Sequence, residues 1–344
     1  MRILIIGGTR FIGPHVVRLL HAQGHDIMVF HRGKSHAVLP RAVRHLHGDR
    51  RELHRFSAEF AVFAPEVLLD MVPLYERHAL DVLDVFSPLV GRCVAISSQD
   101  VYRAYGRLLG TETGSPSPLP LTEDAPLRDR LFPYRTDSED DKRAYLYHYD
   151  KILVEQALLA QKQVAVTILR LPMVYGPGDY QHRFYPYVRR MADNRPWLVL
   201  QEDFARWRWT RGYVADVAHA IALAVTTAHA GRRVFNLGEA PARSTMDYVQ
   251  QLAGRMDWHG RIITLPVRYM PESLRQAGNF SQHLACDTTL VREQLGFTEP
   301  TPPDKALGQT IDWELSRIPV ARAELRAAYA AEDAAIRQRE KTGG

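Results

Sequence analysis

At 344 residues the chain can bury a substantial core, as one large domain or as two closely packed ones. Its 46% hydrophobic and 24% charged composition is that of a folded globular protein, and a net charge of +5 suits an anionic ligand without by itself indicating nucleic-acid binding. Cys93 and Cys286 are far apart, so no disulfide framework or cysteine metal site follows, and a reducing compartment fits. Met1-Arg2 runs straight into an apolar stretch and no run reaches the ~20 residues of a membrane span, so a cytoplasmic location is expected.

Residues 2–6 (RILII) form an apolar run with β-branched members, as in a strand buried on both faces. Gly7-Gly8-Thr9-Arg10-Phe11-Ile12-Gly13 follows at once, then a helical pattern over 15–23 that Gly24 ends, then a second strand over 26–30. Strand, glycine turn, helix and strand within about 30 residues is the context in which bare backbone N–H groups and a helix N-terminus meet a pyrophosphate. The spacing predicts further strands over 43–47, 66–71 and 92–97, with helices over 52–60 and 75–86, the last presenting Leu80 and Leu83 to a sheet. Repeating units of this length imply a mainly parallel sheet with helices on both faces.

Between residues 102 and 141 periodicity fails and prolines and glycines punctuate the chain, which favours a partly ordered active-site covering over disorder. A helix over 145–160, a strand over 164–169 and a turn-rich connection over 172–179 come next. Mixed elements follow: helix 184–191, strand 197–200, helix 214–225, strand 233–236, and a helix through Met256 capped by Ser244 or Thr245. Residues 321–344 form an alanine- and charge-rich helix without a broad apolar stripe, either peripheral or partner-binding.

Tyr147 and Lys151 stand four residues apart, on one face of the predicted helix. A phenol ionises near pH ~10, and bringing it to neutrality takes about 4 kcal/mol of preferential stabilisation, which a partly desolvated ammonium supplies. Ser98, in Ser97-Ser98-Gln99-Asp100-Val101-Tyr102, leaves the fifth strand at the end where open α/β sheets take their ligands, and its hydroxyl suits a substrate oxygen.

GGTRFIG, SSQDVY, YLYHYDK and RLPMVYGPG, in that order, resemble the NAD-dependent epimerase/dehydratase family, the extended short-chain dehydrogenase/reductases, over nearly the whole chain. The resemblance implies an α/β, Rossmann-like doubly wound parallel sheet with a smaller mixed C-terminal substrate domain. Residues 1–178 would bind the dinucleotide, 179–316 the substrate with segments returning to the first domain, and 317–344 would form a peripheral helix and tail. It implies an acid/base role for Tyr147, a nicotinamide-ribose contact and pKa-lowering role for Lys151, and a substrate contact for Ser98. Cofactor contacts are expected from Gly7, Gly8, Thr9, Arg10, Phe11, Ile12, Gly13, Arg32, Asp49, Arg50, Met71 and Lys151. Substrate contacts are expected from Ser98, Tyr147, Met173, His182, Arg208 and Arg211. Asp49 suits either the adenine amino group or a helix cap.

Several positions depart from the family pattern. Arg10 replaces a common glycine, and the acid that would bind NAD's ribose at the end of the second strand is absent from Val29-Phe30-His31-Arg32-Gly33. Basic residues there favour NADP over NAD, with Arg10 and Arg32 on the extra phosphate or, alternatively, in solvent. Ser98 and Tyr147 are 49 positions apart, longer than in many similar members, and Met173 stands where many sugar-nucleotide enzymes have asparagine. Phe204 to Arg211 alternates aromatic and basic residues, open to three readings: an anion site, base stacking, or tryptophans packed inward with arginines in solvent. Histidines are numerous, but His45 and His47 alone share a strand face and no metal is assigned. The sequence therefore points to an NAD(P)-dependent epimerase, dehydratase or reductase acting on a hydroxyl-bearing, sugar-like metabolite, as a homodimer through the helices near 74–86 and 145–160. The alternative is a cofactor-fold RNA-binding protein akin to plastid stem-loop binders.

Overall fold

The computed structural model describes residues 1–35, 37–135, 146–228 and 233–342. In chain order the strands are β1 (Arg2–Ile6), β2 (Asp26–His31), β3 (Arg44–His47), β4 (Val67–Asp70), β5 (Arg92–Ser98), β6 (Ala165–Leu171), β7 (Met173–Tyr175), β8 (Trp197–Gln201), β9 (Arg211–Tyr213), β10 (Arg233–Asn236) and β11 (Arg261–Leu265). The helices are α1 (Ile12–Ala22), α2 (Ser57–Phe63), α3 (Glu76–Phe86), α4 (Arg103–Leu108), α5 (Lys151–Ala160), α6 (Tyr185–Ala192), α7 (Glu202–Arg206), α8 (Val214–Thr226), α9 (Thr245–Arg255), α10 (Thr289–Leu295), α11 (Pro303–Leu315) and α12 (Arg322–Thr342).

Seven strands make one parallel sheet in the order β10-β6-β5-β4-β1-β2-β3. The order reverses beside β1, the crevice in which doubly wound sheets bind ligands. Alternate residues of β1 enter opposite cores: Ile3 and Ile5 join Val16, Val17 and Leu20 of α1, while Leu4 and Ile6 join Phe60, Phe63 and Phe86. This is the Rossmann-like α/β sheet expected from the apolar runs.

The C-terminal half is not a separate run of chain. Strand β10 pairs with β6 in the main sheet, and α8 contributes Val217, Ile221 and Val225 to the core that holds α1. Two small parallel pairs, β7 with β9 and β8 with β11, sit outside that sheet. Helix α12 carries no broad apolar stripe, yet Ala335 and Ile336 pack with Val199 and Leu265, and Glu332 and Asp333 pair with Arg190 and Arg195.

Some local expectations change. Residues 103–108 are the helix α4, inside a stretch expected to lack periodicity, and Met173–Tyr175 is a strand rather than part of a turn. Residues 50–56 form a 3-10 turn ahead of α2, and Leu80 of α3 is 44% exposed rather than facing the sheet. Ser244 caps α9 through a reciprocal box with Asp247, one of the two caps foreseen. Tyr145, His36 and the whole charged run 137–142 lie outside the described residues. The described part of the predicted 145–160 helix begins only at Lys151, behind an Asp150 cap.

Candidate active site

The turn after β1 is built by backbone geometry. Gly7 and Gly8 adopt φ of 93° and 75°, conformations that side-chain-bearing residues rarely reach. A Cβ on Gly13 would lie 2.4 Å from the Gly8 carbonyl carbon, so only glycine lets α1 approach the turn. Phe11 takes φ 47° at the N-cap of α1 and supplies no side-chain cap, leaving the first-turn amides without a side-chain acceptor. Glycine cradle, helix N-terminus and uncapped amides fit a dinucleotide pyrophosphate. Around them, the Ser35 hydroxyl donates to Thr9 Oγ1 at 2.7 Å, Ile12 and Met71 are half-buried, and Arg10 and Arg32 are exposed.

Arg50 behaves differently from the expectation that made it a cofactor contact. Its guanidinium forms a two-pronged pair with Asp70 at 2.8 and 2.9 Å and also donates to the carbonyls of Val72 and His78. Asp49 accepts from the Arg51 backbone and side chain, which holds its carboxyl down at about 2, so the capping reading describes its contacts.

Lys151 opens α5 with its ammonium between two carbonyls, Pro73 O and Ile96 O, each at 2.8 Å. These lie at the C-terminal ends of β4 and β5, beside the glycine turn. Burial lowers the Lys151 pKa to about 8, against the pull of Asp70 and Asp100. Ser98 receives the Asp100 N–H on its hydroxyl at 3.2 Å. The phenol of Tyr149 donates to Asp100 Oδ2 at 2.8 Å, and the Lys151 nitrogen stands 5.8 Å from the centre of its ring. Burial and the Asp100 charge push the Tyr149 pKa well above 10, with the Ser98 hydroxyl pulling the other way.

Ser98, Asp100, Tyr149 and Lys151 thus come together, whereas Tyr147 does not share a helical face with Lys151. It occupies a turn ahead of α5, half-buried, with its ring 4.6 Å from the Arg135 guanidinium and its carbonyl accepting from Arg135 Nε. The reason is local: the Asp150 side chain accepts the Ile152 N–H and so starts the helix after Tyr147. Tyr149 has no lysine four positions on, so spacing in the sequence does not single it out. Its clue was Asp100, two residues past Ser98.

The proline-rich stretch forms a wall of this site. Tyr134 donates to Asp100 Oδ2 at 2.9 Å, Arg128 Nε donates to the Asp100 carbonyl at 2.6 Å, and the Phe132 N–H meets Asp150. Its outer side joins Leu108, Leu121, Trp207, Phe280 and Leu284 in a separate apolar cluster.

Of the substrate-side residues, Met173 is packed in the main core at 6% exposure, which agrees with packing rather than ligand contact. His182 is engaged by Glu314 at 2.7 Å and stacked on Trp313. In the aromatic–basic stretch Trp207 is buried, Trp209 is half-buried against it, and Arg206 and Arg208 are exposed, which is nearest the inward-tryptophan reading. Arg211 breaks that pattern. It is 4% exposed on β9, with its guanidinium 4.0 Å from the centre of the Tyr248 ring. Its Nη2 donates to Thr245 Oγ1 at 3.4 Å, and Nε and Nη1 have no hydrogen-bond partner among the described residues. A buried cation with two idle donors is suited to an anion.

The model of the NAD dependent epimerase/dehydratase family matches residues 3–87 and 127–238, which include the glycine turn, Ser98's flanking strand partner β6, Lys151 and Arg211. The chain belongs to that family. Among relatives, UDP-glucose 4-epimerase of Neisseria meningitidis serogroup A is 25% identical over 86% of this chain and 91% of its own length. The chloroplast stem-loop binding protein of 41 kDa b from Arabidopsis thaliana is 25% identical over 69% of this chain, and the match spans only 58% of that protein. The 2'-dehydrokanamycin reductase of Streptomyces kanamyceticus is 26% identical over 65% of this chain and 58% of its own length. The fold matches a UDP-glucose-4-epimerase structure from Stenotrophomonas maltophila with bound NAD and formylated UDP-arabinopyranose. The TM-score is 0.69 at 19% identity, covering 95% and 100% of the two chains. No helix among the described residues is long and apolar enough to cross a membrane.

Proposed function

We propose that this family member is an NAD(P)-dependent oxidoreductase or epimerase that oxidises a hydroxyl of a phosphate-bearing, sugar-like substrate. The observation that carries this reading is the Lys151 ammonium, buried between β4 and β5 beside Ser98 and the glycine cradle. A bound nicotinamide would take the hydride from the substrate carbon. The chain's own residues do the rest: Ser98 orients the substrate oxygen, a phenol takes its proton, and Lys151 favours the phenolate while holding the cofactor's ribose. Arg211, with two idle donors, binds the substrate's phosphate, a reading in keeping with the UDP-linked names of several relatives.

We assign the proton transfer to Tyr147. It has the spacing of the family motif and partial exposure, whereas Tyr149 is 8% exposed with its hydroxyl already on Asp100; the role requires Tyr147 to turn from Arg135 toward Lys151. Tyr149 and Asp100 then position Ser98. The contact between Tyr149 and Ser98 favours a second reading, in which Tyr149 itself carries the proton. Single-turnover oxidation by Tyr147→Phe and Tyr149→Phe separates the two: the first should lose nearly all turnover with cofactor affinity kept. Full turnover in Tyr147→Phe with loss in Tyr149→Phe would transfer the role, and full turnover in both would end the mechanism.

For the cofactor we favour NADP, because Arg32 leaves β2 exposed and no acid stands there to bind a ribose diol. We further expect a homodimer through the outer faces of α3 and α5, where Leu80 is exposed and Leu83, Leu153 and Ala157 are half-buried. RNA binding gains no stacking face from Trp207, which is buried.

A further inference from the structure

The parallel register of the sheet edge does something the sequence does not display. Strand β3 carries His45 and His47 on one face, and its pairing with β2 sets His31 directly opposite His47. Three imidazoles therefore meet on one face at the C-terminal ends of two neighbouring strands. Ring centres lie 5.1 Å apart for His31 and His45 and 4.7 Å for His31 and His47. One nitrogen of each ring falls within 4.8 Å of the others, and His31 Nε2 and His45 Nδ1 share a hydrogen bond of 2.8 Å. Two histidines on one strand make no site by themselves; the third ligand comes from across the ladder.

We propose that His31, His45 and His47 bind one divalent transition-metal ion of the zinc, cobalt or nickel class, with water completing its coordination. Three nitrogens around a tetrahedral ion stand about 3.4 Å apart when each bond is about 2.0–2.1 Å long. The observed separations bracket that spacing, and His45 and His47 are exposed and can turn to meet it. Imidazole nitrogen matches borderline first-row ions better than calcium or magnesium, which prefer oxygen. Asp49, close in sequence to β3, is engaged by Arg51 and leaves the set all-nitrogen.

Binding also has a local consequence. His31 Nδ1 accepts the Gly33 N–H at 3.2 Å, which leaves its proton on Nε2. Ligation through Nε2 moves that proton to Nδ1 and opens the Gly33 contact, so occupancy is linked to the turn that carries Arg32 and Ser35. The ion would also join the edge strand β3 to β2, and a ligand bound only by the folded state raises the unfolding temperature.

The test uses the untagged full chain and cobalt(II), whose visible absorption reports low-symmetry coordination, with zinc as competitor. Expected are one cobalt per chain, a zinc-displaceable visible band and a rise in melting temperature. Loss of an outer-shell partner already weakens metal binding about 10–100-fold, so His45→Ala and His47→Ala should each weaken cobalt by at least about tenfold. Both positions are exposed, so the variants should fold, as circular dichroism will show. His259→Ala, at an exposed histidine remote in sequence, should bind like the native chain. No visible band, equal affinity in the native chain and both cluster variants, or an equal loss in His259→Ala would each overturn the proposal.

Discussion

Replacing Arg211 by Met should stabilise the free protein while weakening its hold on a nucleoside diphosphate. In the structure Arg211 is 4% exposed, and Nε and Nη1 lack hydrogen-bond partners. Each buried polar group left unpaired costs about 1–3 kcal/mol. The Tyr248 ring, 4.0 Å from the guanidinium, returns about 2 kcal/mol as a desolvated cation–π contact. Burial accordingly lowers the Arg211 pKa, since the charged form is the one penalised. Methionine keeps much of the volume without the charge, and such exchanges of buried ionic groups are commonly neutral or stabilising by about 1–4 kcal/mol. A gain of about 1–3 kcal/mol in unfolding free energy is expected, read as a higher urea midpoint at unchanged slope. Binding should move the other way: a charge-assisted bond to phosphate contributes about 1.5–3 kcal/mol, or roughly tenfold to 150-fold in affinity. Calorimetric titration with UDP measures that loss. A variant less stable than the native chain, or one that binds UDP as well, would show that Arg211 is a structural cation and refute the anion-site reasoning.

Lys151 gives a pH signature. Its pKa in the folded chain is lowered from 10.5 to about 8, so the unfolded chain holds the extra proton between those values. This group's burial penalty is full below about 8, and unfolding free energy should rise with pH from about 8 to 10.5, a slope that Lys151→Met removes. Over the same range kcat/KM should fall, because the ammonium is the form that favours the phenolate; a flat profile would separate Lys151 from the chemistry. Arg32→Ala should weaken NADP by about tenfold, the lower end for a partly exposed charge-assisted contact, and leave NAD nearly unchanged. Equal native affinities for the two cofactors in calorimetry would place Arg32 in solvent. Light scattering at micromolar concentration should give the mass of a dimer, and a strictly monomeric mass would remove the α3–α5 contact.

The sequence alone determined the elements whose signal is local. Four apolar residues after Arg2 suit burial on both faces, Gly7 and Gly8 are demanded by their positive φ, and Gly13 by the 2.4 Å that would separate a Cβ there from the Gly8 carbonyl carbon. These features identified the parallel sheet, its glycine turn and the ends of β4 and β5 that frame the candidate site. Ser98 was singled out by its place at the end of the fifth strand, and Lys151 by its four-residue spacing from Tyr147 together with the family resemblance.

What the tertiary structure decided depends on partners distant in sequence. Arg50 looked available until Asp70, Val72 and His78 closed around it. Tyr147 and Lys151 share a helical face only if the helix reaches back past Asp150, and the Asp150 cap stops it there. Arg211 differs from the exposed Arg206 and Arg208 because β9 pairs with β7 and turns its side chain under Tyr248. His31 joins His45 and His47 only through the register of β2 against β3. Local propensity fixes which residues form a strand or a turn, but a side chain's charge, proton and ligands are set by what the fold packs against it.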